Sequence, residues 1–408
     1  MRRGGIFIII AACLFQPAFS GENATKIERR AAKIHRQVLT IDSHTDTPLR
    51  MVQKGFDMSV RHDAKKERTR LDFVRMKEGG LDGAFFGVFV SQGPRNAEGY
   101  LKVKNRAFTL FDTIDAVVER YPGLAGLAVS PDDAYRLEKA GKRAVFIGIE
   151  NGYAIGKDLS LIKHFYDKGA RYITLCHTKN NDICDSSTDS LEFNGVSTFG
   201  EEVIGEMNRL GLMIDVSHAS DNSFYDILAL SKAPVIASHS CARALCNNPR
   251  NLDDVMLLAL AKNGGVIQMC ILSDYVKAPV PNPEKDSARA AVRKKYNDFD
   301  GLNDEEMKAA RHAWYAIEDQ YPQKLATVSD VIDHIDHIVK IAGIDHVGIG
   351  TDFDGGGGVT GCNDVSEMGN ITLELVKRGY SKEAIRKIWG GNLMRVMKEV
   401  EEISKMSL

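Results

Sequence analysis

Eight short apolar segments, each followed by a polar or helical stretch, constrain the fold of this chain more than any other feature. They are mostly apolar rather than alternating, as expected of parallel strands buried on both faces. Several of the helical patterns end at a glycine, at positions 141, 169, 211 and 264, the usual residue type at a helix end. Repeated βα units of this kind predict an α/β protein, specifically a (β/α)8 TIM barrel. The predicted strands are Val38–Ile41, Gly83–Val90, Ala144–Ile149, Tyr172–Cys176, Leu212–Val216, Val235–Ser238, Gly265–Ile271 and His346–Ile349.

The pattern predicts one domain over residues 21–408 of the 408-residue chain, because no change in composition marks an internal boundary. Residues 277–323 interrupt the βα alternation after the seventh predicted strand. This segment is rich in proline at first and then in charged residues of helical pattern. We expect it to form an insertion on the mouth side of the barrel, and we expect Lys382–Lys405 to form C-terminal helices.

Residues 1–20 have the pattern of a signal peptide. Two arginines precede the apolar stretch Ile6–Phe15, which is too short to span a bilayer, and Ala18–Ser20 has the small-x-small pattern of a cleavage site. The pattern predicts an exported protein, periplasmic or secreted; lipid attachment through Cys13 is the alternative. No other apolar run is long enough for a membrane span. The net charge of −2 gives no indication of a nucleic-acid partner.

Polar residues of metal-binding and catalytic type follow six of the eight predicted strands. The carboxyl ends of barrel strands form one rim, where the active sites of such barrels lie. The remaining histidines, at positions 35, 62, 164, 312, 334 and 337, have the pattern of surface or packing residues, and His346, at the opposite end of a strand, is predicted to be structural. The residues predicted on the rim are His44, Asp46, Glu150, His177, His218, His239 and Asp352.

These residue types suit two metal ions. His44 and Asp46 are two positions apart and point to the same side, so both can bind one cation. His218 and His239 follow adjacent strands and can share a second, and the two oxygens of Glu150 can bridge the pair. Imidazole and carboxylate ligands without thiolate suit catalytic Zn²⁺, with Mn²⁺, Fe²⁺ or Co²⁺ as alternatives.

A metal pair of this kind lowers the pKa of a bridging water toward ~7 and polarises a carbonyl, which predicts hydrolysis of an amide or ester by a metal-bridging hydroxide. Asp352 can then carry a proton to the leaving amine. His177 can stabilise the developing oxyanion. Glu150 belongs with these catalytic residues as well as with the ligands.

Three other functions remain open on the residues alone. Another binuclear barrel amidohydrolase would use the same chemistry, although such enzymes usually open with His-x-His rather than His44-Thr-Asp46. A metal-free glycosidase could use Glu150 and Asp352 as its carboxylate pair, but it would leave the histidines idle. A non-catalytic binding barrel is the third. The glycine run 355–358 is either a flexible loop or a phosphate cradle, without the Lys-Ser/Thr that usually follows one.

Beyond these chemical considerations, the chain resembles the membrane (renal) dipeptidases, binuclear zinc peptidases on a (β/α)8 barrel. The matching segments occur in order over nearly the whole chain after residue 40. They are Ile41–Asp46, Gly148–Glu150, Tyr172–His177, Asp215–His218, Ser238–Ser240, Arg250–Asp254, Gly348–Gly355 and Asn392–Arg395.

The resemblance implies two Zn²⁺ per chain, one on His44 and Asp46, the other on His218 and His239, with Glu150 bridging. It further implies that His177 contacts the substrate and that Asp352 serves proton transfer. Arg250 would bind the free carboxylate of a dipeptide, a group that a guanidinium grips bidentately, and Tyr275 matches a carboxylate-contacting tyrosine more weakly. Free dipeptides, including those with a C-terminal D-residue, are the implied substrates, and a homodimer is the implied assembly.

Overall fold

The computed structural model of the chain describes residues 25–299 and 302–406. The predicted signal peptide, with Cys13, lies outside these residues. Within them, no helix is both long and apolar enough to cross a membrane.

The strands are β1 (Ile41–Thr45), β2 (Gly83–Phe89), β3 (Ala125–Leu127), β4 (Arg143–Glu150), β5 (Ala170–Thr174), β6 (Met213–Asp215), β7 (Ile236–Ser240), β8 (Val266–Met269) and β9 (Val347–Ile349). The helices are α1 (Lys26–His35), α2 (Pro48–Met51), α3 (Phe73–Gly79), α4 (Ala97–Arg120), α5 (Pro131–Lys139), α6 (Ser160–Asp167), α7 (Thr198–Leu210), α8 (Asp221–Leu230), α9 (Asp254–Lys262), α10 (Ser273–Val276), α11 (Pro283–Lys295), α12 (Asp304–Gln320), α13 (Val328–Ala342), α14 (Gly369–Lys377), α15 (Lys382–Arg386) and α16 (Asn392–Met406).

Eight of the strands form a nearly closed parallel barrel in the order β1-β2-β4-β5-β6-β7-β8-β9. The end of β1 meets the segment just after β9: Thr45 forms a parallel bridge with Phe353, and the amide of Asp46 donates to the Phe353 carbonyl at 2.8 Å. Helices surround this sheet. The predicted (β/α)8 barrel is confirmed.

The strand boundaries differ from the prediction in two informative places. β1 is Ile41–Thr45 rather than Val38–Ile41, and β7 extends to Ser240. His44 and His239 therefore lie within strands, not after them. The short strand β3 was not predicted; it pairs with the first half of β4, whereas the second half of β4 pairs with β5.

Helix ends follow the local signals in the sequence. All four glycines predicted to end helices have positive φ values, 73° at Gly141, 100° at Gly169, 80° at Gly211 and 84° at Gly264. A side chain at these positions would be strained, because L-residues rarely adopt that region. At the other end of α7, the Ser197 hydroxyl caps the amide of Gly200 at 3.0 Å.

The barrel interior is filled by aromatic and branched side chains contributed by successive strands. Phe85 on β2 and Phe146 on β4 are fully buried and stack with ring centres 4.6 Å apart. Apolar residues of α16, including Val396 and Val400, belong to the same cluster. Truncating Phe146 to alanine would cost about 3–5 kcal/mol of folding free energy. This packed interior fixes the strand ends that hold the polar residues.

The predicted insertion forms α11 and α12 after the seventh strand of the barrel, β8, and α10. Its second helix contacts α2 and the segment that follows α2. Tyr315 accepts a hydrogen bond from Arg50 at 2.6 Å, and Asp319 pairs with Arg68 at 2.5 Å. The insertion therefore reaches from the end of β8 to the end of β1, which places it beside the mouth, as expected.

Candidate active site

Glu150, the last residue of β4, lies at the centre of the polar cluster and is 3% exposed. Its two oxygens face different histidines. Oε2 lies 3.4 Å from Nε2 of His44, whereas Oε1 lies 3.1 Å from Nε2 of His218 and 3.4 Å from Nε2 of His239. Each oxygen of one carboxylate thus faces a separate set of possible ligands.

All seven residues predicted on the rim come together. The donor atoms of His44, Asp46 and Asp352 lie within 4.8 Å of one another, as do those of two sets built on Glu150, one with His44 and His239 and one with His177 and His218. His239 adjoins both other histidines. Its ring stacks on that of His44 with centres 4.1 Å apart, and its Nε2 lies 3.0 Å from Nε2 of His218. His177 lies 3.8 Å from Glu150, close enough to join the donor set.

The backbone is strained at two of these residues. His218 has a φ of 70° and Asp352 a φ of 59°, both in the left-handed region. Such conformations cost of order 1–3 kcal/mol each and concentrate at functional sites. Gly355 allows the close approach of two carboxylates, since a Cβ there would lie 2.2 Å from oxygens of both Asp46 and Asp352.

Without a bound cation, the buried carboxylates of the cluster disfavour one another's charged forms. Burial raises the pKa of Asp46 and of Asp352 well above the ordinary value, and the charge of Glu150 adds to both effects. Burial opposes ionisation of Glu150 too, but the charge of His44 and a hydrogen bond from His218 hold the pKa of Glu150 well below its usual range. For His44, burial is outweighed by Glu150 and the pKa rises to about 10. A buried group of carboxylates that must attract protons is a group that a cation would stabilise.

The residues also fit a metal on the basis of unused donor atoms. Nε2 of His44 and Oδ1 of Asp46 are buried and make no hydrogen bond within the part of the chain that the structure describes. Buried polar atoms normally have a partner. Imidazole nitrogens and carboxylate oxygens are the donors that catalytic zinc uses.

Arg250 and Tyr275 lie together beside this cluster. The Arg250 guanidinium donates to the carbonyl of His239 at 3.2 Å and lies 5.4 Å from the centre of the Tyr275 ring. Arg250 is 3% exposed, and its Nε makes no hydrogen bond within the described residues. A buried guanidinium with a donor to spare is suited to an anionic group.

The glycine run 355–358 is not a phosphate cradle. The amides of Gly355, Gly356 and Gly357 all donate to the carbonyl of Asp352, at 3.2, 3.1 and 2.7 Å, and that of Gly358 donates to Ile271. None of these four amides is left for a phosphate. The run is instead a tight turn that shapes the Asp352 loop.

Comparison with known proteins decides the family. The profile of the family described as Membrane dipeptidase (Peptidase family M19) matches residues 28–407. This chain belongs to the membrane dipeptidase family. The predicted resemblance is confirmed.

Relatives agree with this assignment. Dipeptidase ataJ of Aspergillus terreus is 32% identical over 403 residues, which cover 92% of this chain and 88% of that protein. Dipeptidase 3 of Rattus norvegicus is 30% identical, covering 94% of this chain and 69% of that protein. The crystal structure of the probable dipeptidase PvdM from Pseudomonas aeruginosa superimposes with a TM-score of 0.80 at 31% identity, covering 93% of this chain and 99% of that one. Family and relatives support metallo-dipeptidase activity on dipeptide substrates.

Four residues of this membrane dipeptidase family member contribute to the site without having been singled out from the sequence. Phe89, at the end of β2, packs edge-on against His177 with ring centres 4.8 Å apart. Tyr172 contacts Nδ1 of His44 at 2.8 Å. The Ser238 hydroxyl donates to Asp215 and lies 2.8 Å from Nδ1 of His239. The quoted family segments contain the last three, but nothing in a sequence segment shows which other strand a side chain will meet.

Proposed function

We propose that this chain is a zinc-dependent dipeptidase that holds two zinc ions and hydrolyses the peptide bond of free dipeptides. The observation that carries the proposal is the position of Glu150, with one oxygen facing His44 and the other facing His218 and His239. A carboxylate with a set of nitrogen donors on each side is what a shared ligand of two metals requires.

We propose that His44 and Asp46 hold one zinc and His218 and His239 the other. When bound, two zinc ions would lower the pKa of a water toward ~7 and polarise the scissile carbonyl. His177 is assigned to the substrate rather than to a metal. Its contact with Phe89 orients the ring, and its proximity to Glu150 keeps it next to the centre.

The chain's other residues would bind and orient the dipeptide. Arg250 is proposed to bind the terminal carboxylate by donating a hydrogen bond from Nε, next to the Tyr275 ring. Asp352 is proposed to hold a proton for the leaving amine. Burial and the charge of Glu150 raise the pKa of Asp352, which favours a carboxyl that keeps a proton until it is needed.

Three finer proposals accompany this function. The resemblance to the membrane dipeptidases supports tolerance of a D-residue at the C-terminal position, and it supports a homodimer. The pattern of residues 1–20 supports export to the periplasm or beyond. Light scattering tests the dimer, and the N-terminal sequence and mass of the protein from fractionated cells test export, with lipid on Cys13 as the other outcome.

The experiment is hydrolysis of a small peptide panel by metal-stripped protein, with and without added Zn²⁺. The panel contains L-Ala-L-Ala, L-Ala-D-Ala, their N-acetylated and C-amidated forms, and a tripeptide. We expect zinc-dependent cleavage of the two free dipeptides only, with two zinc ions bound per chain. Protein that binds two zinc ions but cleaves nothing in the panel would overturn the dipeptidase assignment in favour of another amide or ester hydrolase.

A further inference from the structure

Asp215, the last residue of β6, is fully buried behind the candidate metal centre. Its carboxylate accepts four hydrogen bonds. Oδ1 accepts from the amides of Ser217 at 3.0 Å and Ser238 at 2.8 Å. Oδ2 accepts from the hydroxyls of Thr174 and Ser238, both at 2.5 Å. Since a carboxylate can only accept, the single hydroxyl proton of Ser238 points toward Asp215.

The direction of this proton determines what Ser238 can do for His239. Oγ of Ser238 lies 2.8 Å from Nδ1 of His239. With its own proton given to Asp215, this oxygen can only accept, so Nδ1 must carry the imidazole hydrogen. The lone pair of the ring is then on Nε2. That atom lies 3.4 Å from Oε1 of Glu150, at the centre of the donor cluster.

His44 is held by a comparable hydroxyl. The Tyr172 hydroxyl donates to the carbonyl of Ser43 at 3.2 Å and lies 2.8 Å from Nδ1 of His44, so it can accept the hydrogen of Nδ1 while Nε2 faces Glu150. His218 differs, because its Nδ1 is buried and makes no hydrogen bond within the described residues. The relay through Asp215 and Ser238 is thus specific to one ligand and not a general property of the site.

We propose that Asp215 is a positioning residue for the metal centre: through Ser238 it holds His239 in the Nδ1–H tautomer, so that Nε2 is ready for a cation before one binds. This inference rests on the proposed role of His239 as a ligand. Asp215 itself touches neither the substrate nor the metal. A hydrogen-bond partner on the far nitrogen is the usual means by which proteins fix the tautomer and orientation of a ligating histidine.

The decisive variant is Asp215→Asn. The two backbone amides keep the Asn oxygen at the Oδ1 position, so its NH2 group takes the place of Oδ2 and donates to Ser238. The nearest remaining acceptor for the Ser238 hydroxyl is then Nδ1 of His239 at 2.8 Å, whereas the Ser217 hydroxyl lies at 3.5 Å. A proton given to Nδ1 moves the ring hydrogen to Nε2 and blocks the metal-binding atom. Thr174→Val is the matched control, since it removes one hydrogen bond from the same carboxylate oxygen without touching Ser238 or His239.

Two measurements test the relay. The first is the ¹⁵N spectrum of metal-stripped protein labelled at histidine, with the His239 signals assigned against His239→Asn. The second is zinc affinity in competition with a chelator, with thermal unfolding as a check on the fold. We expect a protonated Nδ1 on His239 in the wild type and in Thr174→Val, and a protonated Nε2 with 10–100-fold weaker zinc binding in Asp215→Asn.

An unchanged His239 tautomer in Asp215→Asn would overturn the proposal, and so would an equal loss of zinc affinity in Thr174→Val, which would indicate a merely structural carboxylate. If Asp215→Asn does not fold, Ser238→Ala replaces it. There Nδ1 loses the one acceptor that the described residues give it, and a wild-type proportion of the Nδ1–H form would contradict the relay. The tautomer is read without metal or substrate. A wild-type protein with the expected tautomer but no dipeptidase activity would therefore disprove the proposed function and leave the relay standing.

Discussion

The amide of Asp352 donates a hydrogen bond to the carbonyl of His44 at 3.1 Å. This bond joins the segment just after β9 to β1 and closes the rim where both bring their polar side chains together. The donor atoms of both side chains lie within 4.8 Å of each other and of Asp46. Asp352 is therefore near enough to the centre either to serve as a proton carrier or to bind a metal.

Asp352→Asn separates these two roles. As a proton carrier, Asp352 should be essential to turnover but not to metal content, so we expect kcat to fall by about 10²–10⁴-fold with two zinc ions retained. Asp354→Asn is the control, because its carboxylate accepts from the Thr47 hydroxyl and the Arg70 amide instead. Loss of one zinc ion from Asp352→Asn would assign the residue to the metal instead.

Arg250 should distinguish substrates by their C-terminus. We expect Arg250→Lys to lower kcat/KM for free dipeptides by about 10–100-fold, because a charge-assisted contact contributes on the order of 1.5–3 kcal/mol. If C-amidated dipeptides are cleaved slowly, kcat/KM for them should be nearly the same in Arg250→Lys and in the wild type. The same loss for both substrates would show that Arg250 supports the His239 carbonyl rather than the substrate carboxylate.

Metal binding should release protons and stabilise the fold. Without a cation, burial raises the pKa of Asp46, and at His44 burial is outweighed by Glu150 so that the pKa rises to about 10. These two proposed ligands therefore hold protons that a metal must displace. We expect net release of on the order of one proton per chain at neutral pH, measured by zinc titration calorimetry in buffers of different ionisation enthalpy. Free zinc at roughly a thousandfold excess over Kd should add about 4 kcal/mol to the free energy of unfolding. Heat that is independent of the buffer would contradict the coupling.

The barrel and the identity of the rim residues could be predicted from the sequence because both depend on local pattern. Apolar strands end where polar residues begin, and in a barrel all such ends meet. The start of β1 could not be predicted this way, since Asp42, Ser43 and His44 are polar residues inside a buried strand. Their burial is tolerated because residues far away in the sequence form hydrogen bonds with them. Asp42, for example, accepts a hydrogen bond from the amide of Thr351 at 2.8 Å.

The supporting residues of the site were missed for the same physical reason. In the sequence, Tyr172 has the pattern of an ordinary strand residue. Its contact with His44 joins residues 128 positions apart, so no local pattern indicates it. Ser238 meets Asp215 only because β6 and β7 are neighbours. Contacts between strands depend on register, and a single sequence carries no direct signal for register.

Acid should weaken the fold partly through His35, which is outside the active site. His35 lies between Thr372 and the carbonyl of Gly79, at 2.7 and 2.8 Å, and burial lowers the pKa of His35 from 6.5 to about 4. The folded protein thus keeps this ring neutral while the unfolded chain protonates it below about pH 6.5. The stabilisation is complete above that pH and declines by about 1.4 kcal/mol per pH unit down to about pH 4.

Urea unfolding of the zinc-loaded wild type and His35→Gln measures this effect. The variant should be less stable at neutral pH, and the difference between the two proteins should shrink as the pH falls to about 4.5. Groups shared by both proteins cancel in that difference. A gap that stays constant over the range would mean that His35 titrates alike in both states.

The insertion should influence which dipeptides are preferred. Arg311 lies on α12 one turn before Tyr315, the residue that fastens this helix to Arg50. Burial is the main cause that lowers the pKa of Arg311, and Asp46 and Asp354 are among the groups that oppose it, so the guanidinium is within electrostatic range of the mouth. It makes no ion pair with any carboxylate of the described residues. A cation there should favour substrates with an acidic side chain.

We therefore expect Arg311→Gln to lower kcat/KM for L-Glu-L-Ala relative to L-Lys-L-Ala by about 3–10-fold, and Arg311→Glu to shift the ratio further in the same direction. Only part of the effect should disappear at high salt, because Arg311 is half-buried and salt screens partly buried charges much less than exposed ones. Lys294→Gln, an exposed position on α11, removes the same charge from the insertion and should leave the ratio unchanged. If Lys294→Gln shifts the ratio as much as Arg311→Gln, the preference reflects the net charge of the insertion and not a position that Arg311 holds beside the mouth.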